Sequence, residues 1–159
     1  MNISVICVGK IKEKFYREAI EEYSKRLTRY CKLELIEISD EKTPDNASEK
    51  EEIQIKDKEG DGILKNIKDN MYVITMDIKG DNLSSEQLAD KIKNLGLSGD
   101  SNIVFIIGGS LGLSKKVLAR ADYKLSFSKM TFPHQLFRVM LLEQIYRGFR
   151  INAGEPYHK

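Results

Sequence analysis

A glycine-rich turn is the first part of the sequence that could do chemistry. Gly108-Gly109-Ser110-Leu111-Gly112 follows Asn102–Ile107, whose apolar composition predicts a strand covered on both faces. Glycines let backbone amides approach a ligand closely, and a helix that begins after such a turn favours polar or anionic groups. The turn matches neither GxGxxG, since Ser110 takes the second glycine position, nor GxxxxGK(S/T). It is therefore either a ligand-binding turn or a tight connection.

A second group of polar residues lies in the segment Ser126–His134, which follows a predicted strand over Tyr123–Phe127. Open α/β sheets bind ligands beyond the carboxyl ends of their strands. Hydroxyl and backbone groups of this segment could hold a small molecule, with Met130 and Phe132 as the apolar wall. The other interpretation is a polar loop anchored by two hydrophobic residues.

The segment Pro133–Ile151 is the longest apolar-rich helix that the sequence predicts. His134 and Arg138 are four residues apart and share a face, and Glu143 and Arg147 form a second pair with this spacing. An apolar stripe on the helix belongs either to the core or to half of a dimer interface; its members are Leu136, Val139, Met140, Ile145 and Phe149.

The C-terminal residues Glu155–Lys159 form a tail with unusual chemical content. Tyr157, His158 and Lys159 follow Pro156 and bring an aromatic ring, an imidazole and a cation together. Chain ends are usually chemically idle. The tail is therefore either unused or a contributor of Tyr157 and His158 to a site.

Alternating strands and helices must position these groups. Apolar periodicity predicts strands over 2–8, 32–38, 71–77, 102–107 and 123–127, and helices over 13–29, 48–67, 84–95, 114–121 and 133–151. Two helices begin with capping boxes, Ser48 with Glu51 and Ser84 with Gln87, and Lys79–Asn82 is predicted as a loop. This order predicts a single α/β domain over residues 1–159, with a mostly parallel sheet flanked by helices.

Composition excludes several classes of protein. The 159 residues are 41% hydrophobic and 31% charged, which is typical of a globular domain, and no apolar run approaches the ~18–20 residues of a membrane span. The N-terminus lacks the residue order of a secretory signal. Cys7 and Cys31 form no CxxC pair, and two histidines offer no zinc set. We therefore expect a cytoplasmic protein without a membrane anchor, a structural disulfide or a metal.

Charge is distributed unevenly along the chain. The overall net charge is +2, but residues 1–32 carry eight Lys/Arg against four acids, residues 33–113 nine against 17, and residues 114–159 nine against three. A polyanion would be attracted to the two ends of the chain and repelled by its middle. Ordinary solvated surfaces explain such a distribution about equally well.

Taken in order, the motifs resemble one family closely. The ribosomal RNA large subunit methyltransferase H family, the bacterial 23S ribosomal RNA pseudouridine N3-methyltransferases of the SPOUT superfamily, is similar over the whole chain. The residues that carry the resemblance are Val8-Gly9-Lys10, Asp57–Gly60, Gly108-Gly109-Ser110-x-Gly112, Leu125-Ser126-x-Ser128, Pro133-His134 with Arg138, Glu143 with Tyr146-Arg147, and Pro156-Tyr157-His158. Met76 stands where relatives often carry leucine, which is a conservative change.

The resemblance implies more than the residue patterns do. It implies a C-terminal trefoil knot, S-adenosylmethionine as methyl donor without a metal, and a homodimer whose active sites are completed by the partner's tail. It implies as substrate a pseudouridine of 23S ribosomal RNA in the assembled ribosome, with no DNA or membrane as partner. The implied donor-binding residues are Met76, Gly108, Phe127, Ser128, Lys129, Met130, Thr131 and Phe132. The catalytic candidates are His158 as base or orienting group, Tyr157 beside it, and Arg138 and His134 on the acceptor.

Three other functions fit parts of the sequence. A ribosome-associated RNA-binding factor without chemistry would use the same basic regions but would not bind the methyl donor tightly. A SPOUT methyltransferase acting on transfer RNA or on 2′-hydroxyls would usually need an RNA-binding domain, for which this chain has no room. A nicotinamide-dependent enzyme would carry a GxGxxG motif, which this chain lacks.

Overall fold

Five strands alternate with five helices, as the sequence predicts. The computed structural model describes residues 1–159. The strands are β1 (Asn2–Val8), β2 (Lys32–Ile38), β3 (Tyr72–Asn82), β4 (Asn102–Ile107) and β5 (Tyr123–Ser126). The helices are α1 (Lys14–Leu27), α2 (Glu49–Leu64), α3 (Ser85–Leu97), α4 (Lys115–Arg120) and α5 (His134–Asn152).

All five strands form one parallel sheet with the order β2-β1-β4-β3-β5. The chain therefore moves outward to β2, returns through the centre and ends at the opposite edge. Because the strands are parallel, their carboxyl ends emerge along the same edge of the sheet. The glycine turn after β4 and the polar segment after β5 are thus brought to one edge, with β3 between them.

Helices cover both faces of the sheet, which explains why β4 is apolar throughout. On one face, α1, α3 and α5 pack in a core of 18 buried residues that includes Phe105 of β4. On the other face, Ile63 of α2 and Val117 of α4 belong to a second core of seven buried residues that includes Val104 and Ile106. Burial of both faces of β4 stabilises the sheet by removing apolar area from water.

The third strand is longer than its sequence pattern predicts. The sequence predicts a loop at Lys79–Asn82, but β3 continues through Asn82. Its register against β5 shifts between Met76 and Asp81, after which Asp81 and Asn82 pair with Leu125 and Ser126. Polar residues enter this part of the strand because it lies beyond the buried centre of the sheet, so alternation could not reveal it.

Both predicted capping boxes are present. The Ser48 and Ser84 hydroxyls accept hydrogen bonds from the backbone N–H groups of Glu51 and Gln87, whose side chains accept from the capping residues. One prediction at a helix start was wrong by one residue, since Pro133 is the N-cap of α5 rather than its first helical residue.

Candidate active site

A cavity of about 490 Å³ opens where β4 and β5 end, beside the middle of β3. Three chain segments form most of its wall: residues 76–79 within β3, residues 107–113 around the glycine turn, and residues 125–128 with 130–132 at the end of β5 and beyond it. Leu118, His134 and Phe137 complete the lining. This volume lies within the range of pockets that hold small-molecule ligands, and the wall combines apolar side chains with exposed backbone groups.

Seven of the eight predicted donor-binding residues line this cavity. They are Met76, Gly108, Phe127, Ser128, Met130, Thr131 and Phe132. Lys129 is the exception, because it is exposed and does not contribute to the wall. Residues far apart in the chain thus converge on one space.

The wall formed by Ser126–Phe132 is held by its own hydroxyl groups. Ser126 Oγ donates to the Ser128 carbonyl at 3.0 Å, and the Met130 N–H donates to Ser128 Oγ at 3.0 Å. Phe127 and Phe132 pack against the ring of Phe137 at centroid distances of 5.0 and 6.2 Å. The two serine hydroxyls are thus engaged within the segment, and its backbone groups and Thr131 are further polar groups on the cavity wall.

The glycine turn packs closely on itself. A Cβ atom on Gly108 would lie 2.9 Å from Leu113 Cδ2 and 3.0 Å from the Gly112 carbonyl. Gly109 and Gly112 are joined by a hydrogen bond of 3.0 Å from the Gly112 N–H to the Gly109 carbonyl. Gly108 therefore has no room for a side chain, and the turn keeps this close packing only with glycine at its first position.

The four predicted catalytic residues do not gather at one place within the chain. His134 lines the cavity. Arg138, one turn further along α5, is 4% exposed, donates to Glu37 Oε2 at 2.7 Å and to the Gly9 carbonyl at 3.1 Å, and lines a different cavity. Although Arg138 shares a helix face with His134, it lies at the end of β1 and not at the cavity that His134 lines.

The tail packs against α5 of its own chain. The Tyr157 hydroxyl donates to Glu143 Oε1 at 3.1 Å, and its ring lies 5.0 Å from that of Tyr146. Burial raises the pKa of Tyr157, and its hydrogen bond to Glu143 adds to this effect. Arg147 donates to the same carboxylate at 2.7 Å, and this bond raises the pKa of the guanidinium. Glu143 is therefore the centre of an ionic network.

His158 lies between two charged partners. Its Nδ1 is 3.1 Å from Arg147 Nη1, and its Nε2 is 2.7 Å from Glu86 Oε1. Because a guanidinium can only donate, Nδ1 must be the acceptor, and the ring proton then sits on Nε2 and is donated to Glu86. None of the residues 155–159 lines the cavity of their own chain.

Several residues of the site have no sequence signal that predicts them. Asp77 and Ile78 line the cavity because β3 continues past its apolar part, and Leu118 does so from α4. Glu86 contacts His158 from the first turn of α3, where an acidic residue is common for helical reasons alone. Glu59 is a buried acid behind the glycine turn. The signal for it is Gly60, because a glycine inside a charged helix indicates that another part of the chain packs closely there.

Metal-ligating side chains and cysteines are not clustered. No three His, Cys, Asp or Glu side chains are grouped so that they could hold a metal ion. Cys7 and Cys31 are free and buried, and burial raises their thiol pKa values to about 12 and about 11. No helix has both the length and the apolar character needed to cross a membrane.

Comparison with known sequences relates the whole chain to one family. A family model described as "Predicted SPOUT methyltransferase" matches residues 1–158. The protein called Ribosomal RNA large subunit methyltransferase H from Clostridium beijerinckii is 74% identical over 159 residues, which is 100% of both chains. The protein of the same name from Clostridium tetani is 70% identical, also over 100% of both chains.

Comparison with solved structures supports the fold. A protein from Haemophilus influenzae Rd KW20, described as a probable methylase family protein, superposes with a TM-score of 0.52 at 12% sequence identity. The match covers 99% of this chain and 70% of that one. At this identity the likeness concerns the path of the backbone.

Proposed function

Because the chain belongs to the SPOUT methyltransferase family, we propose that it transfers a methyl group from S-adenosylmethionine to N3 of a pseudouridine in 23S ribosomal RNA of the assembled ribosome. The observation that carries the proposal is the convergence of seven predicted donor-binding residues on one cavity. The relatives' names, which refer to large-subunit ribosomal RNA, support the substrate. The C-terminal trefoil knot and the cytoplasmic location are part of the same proposal.

The cavity suits S-adenosylmethionine in volume and in lining. When bound, this cofactor supplies a methyl group on a positively charged sulfur, which an in-line nucleophile can displace. Phe127, Phe132 and Met76 would exclude water from the donor, and backbone groups of residues 127–132 would bind the polar edge of its base.

The acceptor nitrogen N3 carries an imide proton that must leave before or during attack. A neutral imidazole can take this proton, and an arginine can stabilise the negative charge that develops on the base. We assign the first role to His158, with Tyr157 beside it; to accept a proton, its Nδ1 must first leave Arg147. We keep Arg138 as the candidate for the second role, which requires its guanidinium to leave Glu37 and the Gly9 carbonyl. His134, which lines the donor cavity, would orient the acceptor next to the methyl group.

A homodimer would bring the tail to a cavity. Since residues 155–159 do not line their own cavity, the tail as folded here can act only at the cavity of a second copy. The stripe on α5 offers a contact surface: Ile145 is buried, but Leu136, Val139, Met140 and Phe149 are only half-buried. Val139 and Met140 also line a second cavity of about 500 Å³ that shares Leu125 and Phe127 with the first.

The decisive experiment is the transfer of labelled methyl groups to purified ribosomes that lack the modification, with separated subunits and free transfer RNA in parallel. We expect label on large-subunit RNA at a pseudouridine. Label on transfer RNA would keep the family and change the substrate. Ribosome binding without label and without S-adenosylmethionine binding would indicate an RNA-binding factor instead.

Basic residues beside the cavity should contribute to ribosome binding. Lys115 and Lys116 begin α4 directly after the glycine turn and are exposed. We expect Lys115→Gln with Lys116→Gln to weaken ribosome binding and to reduce the slope of log K against log[salt] by about 0.7 for each lost phosphate contact. Lys93→Gln, an exposed lysine of α3, is the control. Equal salt slopes for all three proteins would contradict this assignment.

A further inference from the structure

A buried carboxylate lies directly behind the glycine turn. Glu59 of α2 is 5% exposed, although Asp and Glu are almost never fully buried without a cation. Lys58, the cation next to it in sequence, is paired with Glu41 at 3.4 Å instead. Burial raises the pKa of Glu59. A charge placed in this way costs stability, so its position calls for a reason other than folding.

The carboxylate is in direct contact with Gly109. A Cβ atom built on Gly109 would lie 2.9 and 3.2 Å from the two carboxylate oxygens and 3.2 Å from Val8 Cγ1. Only a glycine at this position lets the turn pack on the acid. The Glu59 side chain is itself held from the opposite direction, because its Oε2 accepts the backbone N–H of Glu41 at 3.0 Å.

The next residue of α2 contacts the other end of the same turn. Gly60 packs against Ser114, the N-cap of α4, so closely that a Cβ atom at residue 60 would collide with Ser114 Oγ. α2 therefore touches the segment 109–114 at its beginning and at its end. That segment forms one wall of the cavity through residues 109–113.

We propose that Glu59 is a positioning residue for the methyl-donor site, which it serves by holding Gly109 and the turn after β4 in the shape that binds the donor. Glu59 does not line the cavity and acts through the turn. This inference rests on the proposed function, because it assumes that the cavity binds S-adenosylmethionine.

Calorimetric titration with S-adenosylmethionine tests the proposal. We expect Glu59→Ala to weaken donor binding by about tenfold or more, because small displacements of a positioning group are costly. Glu59→Gln keeps the size of the side chain and an acceptor for the Glu41 N–H, and we expect it to recover most of the affinity. Asp57→Ala, at an exposed acid two residues earlier in the same helix, is the matched control and should bind like the wild type.

Kinetics and thermal unfolding separate positioning from a purely structural role. With saturating ribosomes, Glu59→Ala should raise KM for the donor more than it lowers kcat, in protein that is folded at the assay temperature. Wild-type donor affinity in folded Glu59→Ala, or a Glu59→Gln affinity as low as that of Glu59→Ala, would overturn the proposal. If the wild type itself binds no S-adenosylmethionine, the proposed function fails instead.

A double-mutant cycle probes the same contact from the other side. Gly109→Ala places a methyl group against the carboxylate and should weaken donor binding with Glu59 still present. Removal of the carboxylate takes away two of the three atoms that lie nearest to this methyl group. The double variant Glu59→Ala with Gly109→Ala should therefore bind the donor no more weakly than Gly109→Ala alone. Additive losses would show that the two residues act separately and would contradict the proposal.

Discussion

Replacement of His158 by alanine should reduce the rate of methyl transfer to ribosomes by roughly 10²–10⁴-fold, the usual contribution of a general acid or base. The affinity for S-adenosylmethionine should change little, because His158 is assigned to the acceptor and is not one of the predicted donor-binding residues that line the cavity. Single-turnover transfer of labelled methyl measures the rate, and calorimetric titration measures the affinity.

Lys159→Ala is the matched control for the tail. Lys159 is exposed and adjacent to His158, so its loss changes the length of the last side chain but not the imidazole. A rate near that of the wild type is expected for Lys159→Ala. A wild-type rate for His158→Ala, in protein of unchanged thermal stability, would remove His158 from the chemistry.

Mixed dimers test whether the tail acts at the cavity of the partner. Gly108→Val fills the cavity wall and should abolish donor binding, since even a Cβ atom there lies within 3.0 Å of the Gly112 carbonyl. Neither Gly108→Val nor His158→Ala should be active alone, but a heterodimer of the two has one intact cavity facing one intact tail. Activity after co-expression supports a shared site, and no activity from a purified heterodimer contradicts it.

Replacement of Gly80 by alanine should disturb the pairing of β3 with β5, and both strands contribute to the cavity wall. A Cβ atom at Gly80 would lie 2.6 Å from the carbonyl carbon and oxygen of Lys124 and 2.8 Å from the Leu125 nitrogen. These are backbone atoms, which cannot rotate away as a side chain can. We expect β5 to separate from β3, a loss of about 1–3 kcal/mol in the free energy of unfolding, and donor binding at least about tenfold weaker.

Gly148→Ala provides the matched control for that substitution. A Cβ atom at Gly148 of α5 would meet Ala89 at 3.5 Å and Ile92 at 3.6 Å, which is ordinary contact. Alanine in the middle of a helix should stabilise the protein by up to about 1 kcal/mol and leave donor binding unchanged. Chemical denaturation and donor titration of both variants provide the comparison. Equal stability of Gly80→Ala and the wild type would contradict the predicted separation of strands.

Local sequence is sufficient to predict the elements and most of the segments that line the cavity. Capping residues such as Ser48 and Ser84 hydrogen-bond to backbone groups only three residues away, so local sequence is enough to place these helix starts. The apolar run of β4 likewise predicts a strand buried on both faces, because consecutive apolar residues point to opposite faces of a sheet. Parallel pairing then brings the turn after β4 and the segment after β5 to one edge.

Tertiary structure alone decided which candidate residues share the cavity. His134 and Arg138 have helical spacing, but the packing of α5 directs one to the cavity and the other to Glu37 and Gly9. The added length of β3 depends on pairing with β5, which is 40 or more residues away in the chain. The contact of Glu59 with Gly109 depends on how α2 packs on the sheet. Contacts between residues distant in sequence leave no local pattern, because only the packed chain brings the partners together.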